Sequence, residues 1–314
     1  MKDKIIVIVG PTAVGKTALS IDLAEKLNGE VVNADAMQIY RHLDIGTAKI
    51  TEKEAGEIPH HLLDIRNPDE SYTVAEFQQD ARQAIAEIIG RGALPIIVGG
   101  SGLYTESLIY DVSHGGQAKP NAVLRQKLEK EAAEKGGQYL WERLNQIDPV
   151  SAISIHPNNK RRVIRALEVY YESGKKFSDL QQERKKREML YDPLIIGLDT
   201  DRSLLYERIN QRVEWMIQAG LVQELQEIVR NYGDQAEALK GIGYKELLPY
   251  LNGQTTLDEA ITLIQKNSRH YAKRQLTWFR NRLPVTFWAD TVQNSEAIQK
   301  VERITMDFLQ GVNE

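Results

Sequence analysis

The segment Gly10-Pro11-Thr12-Ala13-Val14-Gly15-Lys16-Thr17 carries glycine, lysine and threonine at the spacing of a phosphate-binding loop. In such a loop backbone N–H groups and a helix N-terminus face an anion. The lysine adds a point charge, and the threonine hydroxyl, here Thr17, is a ligand for Mg²⁺. Whether phosphate is the group transferred or the group that leaves is not decided by the loop. Asp35 closes the next apolar run, "GEVVNAD". A carboxylate there can accept a proton from a nucleophile, cap a helix, or stand in a magnesium shell as in P-loop kinases. Gln38 offers an amide suited to an adenine edge or to solvent. Arg212 follows Arg208 by one helical turn beside the apolar stripe Ile209, Val213 and Met216, which suits an anion clamp or a surface ion pair. His42, His60 and His61 have no convincing ligand partner set and read as structural or polar.

The elements that must position these groups follow from periodicity. Ile5 to Val9 is a buried-strand run, and Ala18, Leu19, Ile21, Leu23, Ala24 and Leu27 recur at helical spacing after the loop. Thr73 and Glu76 form a capping box before Val74, Phe77, Ala81, Ala84, Ile85 and Ile88. "ALPIIVGGSGLY" runs from a strand into a Gly-rich turn. Alternation of this kind predicts an α/β fold, a parallel sheet with helices on both faces and ligands at the strands' carboxyl ends. Gly10, Asp35 and Gly99 all fall at such ends. The expected division is a core of residues 1–116 and 187–314, interrupted at residues 117–186 by a helical insertion entered through the linker "HGGQAKPNAVLRQKL". After Asp199 the chain reads as helical almost throughout.

The chain has 314 residues, 42% hydrophobic and 27% charged, with no cysteine. That excludes disulfides, thiolate catalysis and cysteine-type zinc sites, and fits a cytoplasmic protein. No apolar run approaches a membrane span, and no membrane partner is expected. Net charge is −4, but residues 151–190 hold ten Lys or Arg against five acids and residues 266–284 hold six against none. The remainder therefore carries −15, a segregation that suits a basic surface for a polyanion, or a solvated face. On the helix around 259–282, Ile261, Ile264, Tyr271, Ala272, Trp278 and Phe279 fall on one side. Lys266, Arg269, Lys273 and Arg280 fall on the other, with Lys266, Lys273 and Arg280 spaced by seven as a row for nucleic-acid phosphates.

Nine stretches in order, "GPTAVGKTALS", "NADAMQIYRHLDIGTAK", "PHHLLDI", "YTVAEFQQDA", "GGSGLY", "HPNNKRRVIRALEVY", "RINQRVEWMIQAGL", "GIGYKE" and "AKRQLTWFRN", resemble the tRNA dimethylallyltransferase (tRNA isopentenyltransferase) family over nearly the whole chain. Ser101 stands where the family commonly has Thr, and Asn159 where many members carry Asp. The resemblance implies a P-loop NTPase-like fold in which Gly10 to Thr17 hold the diphosphate of dimethylallyl diphosphate with Mg²⁺ on Thr17. The diphosphate leaves, and the C5 group passes to N6 of adenosine 37 in the tRNA anticodon stem-loop. It implies Asp35 as base with Thr12 as helper, and Lys16 and Arg212 on the diphosphate. It further implies RNA contacts at Asp35, Ala36, Met37 and Gln38, at Ser101, along Asn159, Lys160, Arg161, Arg162 and Val163, and at Gly241, Gly243, Tyr244 and Lys245. A small-molecule kinase using Asp199, an isopentenyltransferase acting on free AMP, ADP or ATP, and an RNA binder without chemistry are the alternatives. Monomer is the default assembly.

Overall fold

A computed structural model describes residues 2–111, 121–185 and 188–311. Residues 114–120 of the expected linker and the boundaries expected at 116/117 and 186/187 lie outside the described residues, and from Asn121 the rest of that stretch is not linker but helix, Ala122–Lys135, capped by the Asn121 side chain. The chain divides into two compact units, Met1–Ile109 with Leu190–Glu314, and Tyr110–Met189.

The first unit is built on six strands: β1 (Lys4–Val9), β2 (Gly29–Asn33), β3 (His60–His61), β4 (Leu94–Gly99), β5 (Asp192–Leu198) and β6 (Phe287–Ala289). All pair in parallel in the order β3-β2-β4-β1-β5-β6. Central β1 is covered on both faces, which is why Ile5 to Val9 form an unbroken apolar run with no solvent exposure. Because every strand points the same way, the loops after β1, β2, β4, β5 and β6 open on one edge of the sheet. β3 and β6 are too short to show periodicity in the sequence. β6 interrupts the region that reads as continuously helical after Asp199.

Helices flank the sheet as their stripes require. The helix Val74–Gly90 starts at the Thr73/Glu76 capping box and buries Phe77, Ala81, Ala84, Ile85 and Ile88, while Val74 is half-buried. The 26-residue helix Leu257–Arg282 opens on a second capping box, Thr256 with Glu259. It buries Ala260, Ile264, Ala272, Gln275 and Phe279. Gln275 is the polar exception on that face.

The second unit is helical: Ala122–Lys135, Gly137–Ile147, Pro149–Ser154, Lys160–Ser173 and Phe177–Lys185 pack around Leu128, Leu140, Leu144, Ile155, Val163 and Leu167. Buried Asp148 ties two of these helices together by accepting from Ser151 N at 3.1 Å and Ser178 N at 2.9 Å. No helix among the described residues is long and apolar enough to cross a membrane.

Candidate active site

The loop after β1 has the geometry of an anion cradle. Gly15 adopts φ +97° as the N-cap of the helix Lys16–Leu27 and brings no side-chain cap, so the first-turn N–H groups keep their donors for a ligand. Gly10 has no room for a side chain, because a Cβ there would lie 2.6 Å from the Leu198 carbonyl oxygen. Lys16 folds back on its own loop, donating to Gly10 O at 3.1 Å and Pro11 O at 2.7 Å. Burial lowers its pKa to about 8; nearby Asp35 opposes that shift and Arg212 adds to it. Thr17 lies exposed at the start of the helix.

Asp35 sits at the end of β2 in a turn that its own backbone holds. Asn33 Oδ1 accepts from Asp35 N at 3.0 Å, and Asp35 Oδ1 accepts from Met37 N at 2.9 Å. The loop after β4 packs on the same turn: a Cβ on Gly99 would meet Ala34 O at 2.2 Å, and Ser101 Oγ accepts from Ala36 N at 3.0 Å. Arg212 comes from the helix Arg202–Gln218 and donates to Thr47 O at 3.3 Å. Its pKa is lowered by burial against the pull of Asp35. Lys16, Asp35 and Arg212 therefore form one electrostatic group with two cations to one anion. That excess is suited to a second, incoming anion.

Residues 36–49 form a loop over this edge with three anchors. Glu224 accepts from Asp44 N, Ile45 N and Gly46 N at 2.9, 2.7 and 3.0 Å, and from Tyr244 Oη at 2.7 Å. Buried Lys49 donates to Tyr40 O, Asp44 Oδ1 and Asp64 Oδ1 at 2.8, 2.7 and 2.6 Å. Gln38 donates to Thr47 O at 3.2 Å and Ala48 O at 3.4 Å, so its amide is engaged within the loop. Gln38 also lines a small cavity with Thr17, Asn33 and His60. His60 stands in the edge strand β3 opposite Val31, and its Nδ1 is bonded to Ile58 O at 2.8 Å.

The remaining candidates divide by exposure. Lys160, Arg161, Arg162 and Lys245 point to solvent, as do Lys266 and Lys273. Asn159 caps the helix Lys160–Ser173 through Arg162 N at 3.3 Å. Val163 and Tyr244 are side chains of the core, 1% and 0% exposed, and Tyr244 spends its hydroxyl on Glu224. Neither offers a side-chain surface to a partner. Gly241 instead makes room for Met37, whose Cε would stand 2.6 Å from a Cβ at that position. Gly243, at φ +101°, gives its N–H to buried Glu246 at 2.8 Å, and Glu246 accepts from Asn267 Nδ2 at 2.8 Å. Arg280 is ion-paired to Asp199.

Two residues that the sequence did not single out reach the phosphate loop. Arg208 Nε donates to Ala13 O at 2.9 Å, one helical turn before Arg212, a spacing visible in the sequence. Gln275 accepts from Thr12 N at 3.0 Å and donates to Gly100 O at 2.9 Å. A lone glutamine on an apolar helix face was its only signal. Among the described residues no cluster of three His, Cys, Asp or Glu could cage a metal. Thr17, exposed at the start of the helix Lys16–Leu27, is the one hydroxyl in the loop's first helical turn.

Residues 38–282 match the family described as IPP transferase. The chain is 49% identical over 303 residues to a tRNA dimethylallyltransferase of Bacillus anthracis, spanning 96% of each protein. It is 50% identical to one from Bacillus cytotoxicus, covering 96% of this chain and 95% of that one. Its fold is similar to the crystal structure of the full-length tRNA isopentenylpyrophosphate transferase of Bacillus halodurans, at 43% identity and TM-score 0.74, over 99% and 98% of the two chains. A eukaryotic dimethylallyltransferase solved acting on tRNA superimposes at TM-score 0.86 and 32% identity, covering 99% of this chain and 80% of that one.

Proposed function

The chain belongs to the IPP transferase family, and on that premise we propose that it transfers a dimethylallyl group from dimethylallyl diphosphate to N6 of adenosine 37 in tRNA, releasing diphosphate. The observation that carries this reading is the uncapped N–H cradle at Gly15 with Lys16 folded on the same loop, while Asp35 acts electrostatically on both Lys16 and Arg212 at the sheet's carboxyl edge.

Breaking an allylic C–O bond develops negative charge on the departing diphosphate, and preorganised donors that strengthen with that charge lower the barrier. The open N–H groups at the helix Lys16–Leu27, Lys16 and Arg212 are such donors. Thr17 would hold Mg²⁺, which when bound would add divalent charge to stabilise the leaving diphosphate. On the acceptor side the N6 amine is a weak nucleophile that must lose a proton. Asp35, with one oxygen committed to Met37 N, has the other for orienting N6 and taking that proton.

In a stacked anticodon loop N6 is hidden, so the base must be splayed out at a cost of a few kcal/mol. Backbone contacts offset this cost. Exposed Lys160, Arg161, Arg162, Lys245, Lys266 and Lys273 are the cations for those phosphates, with Ser101 and residues 36–38 nearer the base. We further propose that the protein acts as a cytoplasmic monomer. Incubation with labelled dimethylallyl diphosphate and Mg²⁺, together with tRNA, AMP or ATP, tests the reading. Label on tRNA alone is expected; label on a free adenylate or phosphate transfer would overturn it.

A further inference from the structure

We infer that Gln275 is a positioning residue that sets the span between the diphosphate loop and the acceptor carboxylate, an inference that rests on the transfer reaction proposed above. Gln275 is 5% exposed on the face of the helix Leu257–Arg282 that otherwise buries Ala260, Ile264, Ala272 and Phe279. Burying an amide there is unfavourable unless its groups are hydrogen-bonded, and a leucine or methionine would continue the face at lower cost. Its bonds are to two catalytic-edge loops and to neither strand: Oε1 takes Thr12 N from the loop after β1, and Nε2 reaches Gly100 O in the loop after β4.

The second loop leads directly to Asp35. Ser101, next to Gly100, accepts from Ala36 N at 3.0 Å, and Ala36 directly follows Asp35. A Cβ on Gly100 would stand 2.2 Å from Gln275 Nε2 and 3.7 Å from Asp35 Oδ2, so amide, glycine and carboxylate share one small space. One rigid helix thus holds the donor loop through Gln275 and the acceptor turn through Gly100 and Ser101. Displacement needs the attacking nitrogen within about 3–3.5 Å of carbon, and about 1 Å of misplacement can cost about 10²-fold in rate. Thr12 N is committed to this brace, so the diphosphate cradle begins at Ala13.

The test is a double-mutant cycle of Gln275→Met and Asp35→Asn, with single-turnover rates at saturating tRNA and direct binding of dimethylallyl diphosphate. Gln275→Met is expected to slow transfer by about 10- to 100-fold, with diphosphate affinity held within about threefold. In the Asp35→Asn background the same change is expected to cost less than about threefold, because the carboxylate it positions is gone. Gln275→Glu keeps an acceptor for Thr12 N but sets oxygen against Gly100 O. It is expected to match the methionine variant in rate, and it serves alone if that variant does not fold. An undiminished cost in the Asp35→Asn background, an affinity loss that accounts for the rate loss, or an unchanged rate would each overturn the inference. Failure of the unaltered enzyme to prenylate tRNA would instead remove the reaction itself.

Discussion

Arg280, in the last turn of the helix Leu257–Arg282, donates from Nη2 to Asp199 Oδ2 at 2.5 Å, with its guanidinium 5.5 Å from the centre of the Trp288 ring. Asp199 follows β5, so this pair pins the end of the helix to the sheet's carboxyl edge. It engages one of the three cations spaced by seven. Lys266 and Lys273 remain as the exposed pair along that face. Neutralising both is expected to flatten the salt dependence of tRNA binding by about 1.5–2 units of slope, since each phosphate contact contributes somewhat under one. Adding Arg280→Ala is expected to change the slope little, and binding measured at several salt concentrations checks it.

Asp35→Asn keeps an acceptor for Met37 N and removes the carboxylate proposed as the base. Transfer is expected to slow by at least about 10², the lower range for losing a general base, with tRNA affinity within a few fold. Near-normal turnover would take Asp35 out of the mechanism.

Lys16 links binding to pH. With its pKa lowered to about 8 by burial, the free site loses this cation as pH rises through that value. A diphosphate favours the charged form, so above about pH 8 binding requires proton uptake, and affinity is expected to fall about tenfold per pH unit. The unfolded chain keeps this proton to 10.5, so the Lys16 contribution to stability rises with pH between about 8 and 10.5 and is least favourable below. Lys16→Arg is expected to abolish the alkaline fall in diphosphate affinity, measured by titration at stepped pH.

Glu224 receives four hydrogen bonds, three of them from the backbone of residues 44–46. Glu224→Ala leaves those donors and buried Tyr244 without their acceptor, and is expected to cost on the order of 3 kcal/mol of stability. Because Thr47 O holds Arg212, diphosphate affinity is expected to fall as well. Denaturant midpoints and ligand titration on the same variant check both effects.

Local chemistry made much of this protein legible in its sequence. Gly10, Gly15, Lys16 and Thr17 mark a loop because their spacing joins a permissive backbone to a cation and a hydroxyl at a helix start, a pattern suited to an anion. The Ile5–Val9 run marks a strand covered on both faces, and Thr73 with Glu76 marks a helix start. Asp35 was visible as the residue closing an apolar run. These signals are carried by residues near one another in the chain. Strands β3 and β6 were not legible, since two and three residues are too few for a period and neighbouring strands alone define them. Nor could composition tell which polar groups are engaged. Tyr244 and Val163 sit in motifs that read as RNA contacts, yet packing turns both side chains inward. Arg280 reads as a free cation until Asp199, 81 positions earlier, is brought against it. Gln275 joins Thr12 and Gly100 across 263 and 175 positions, a pairing that only the closure of the sheet and its long helix creates.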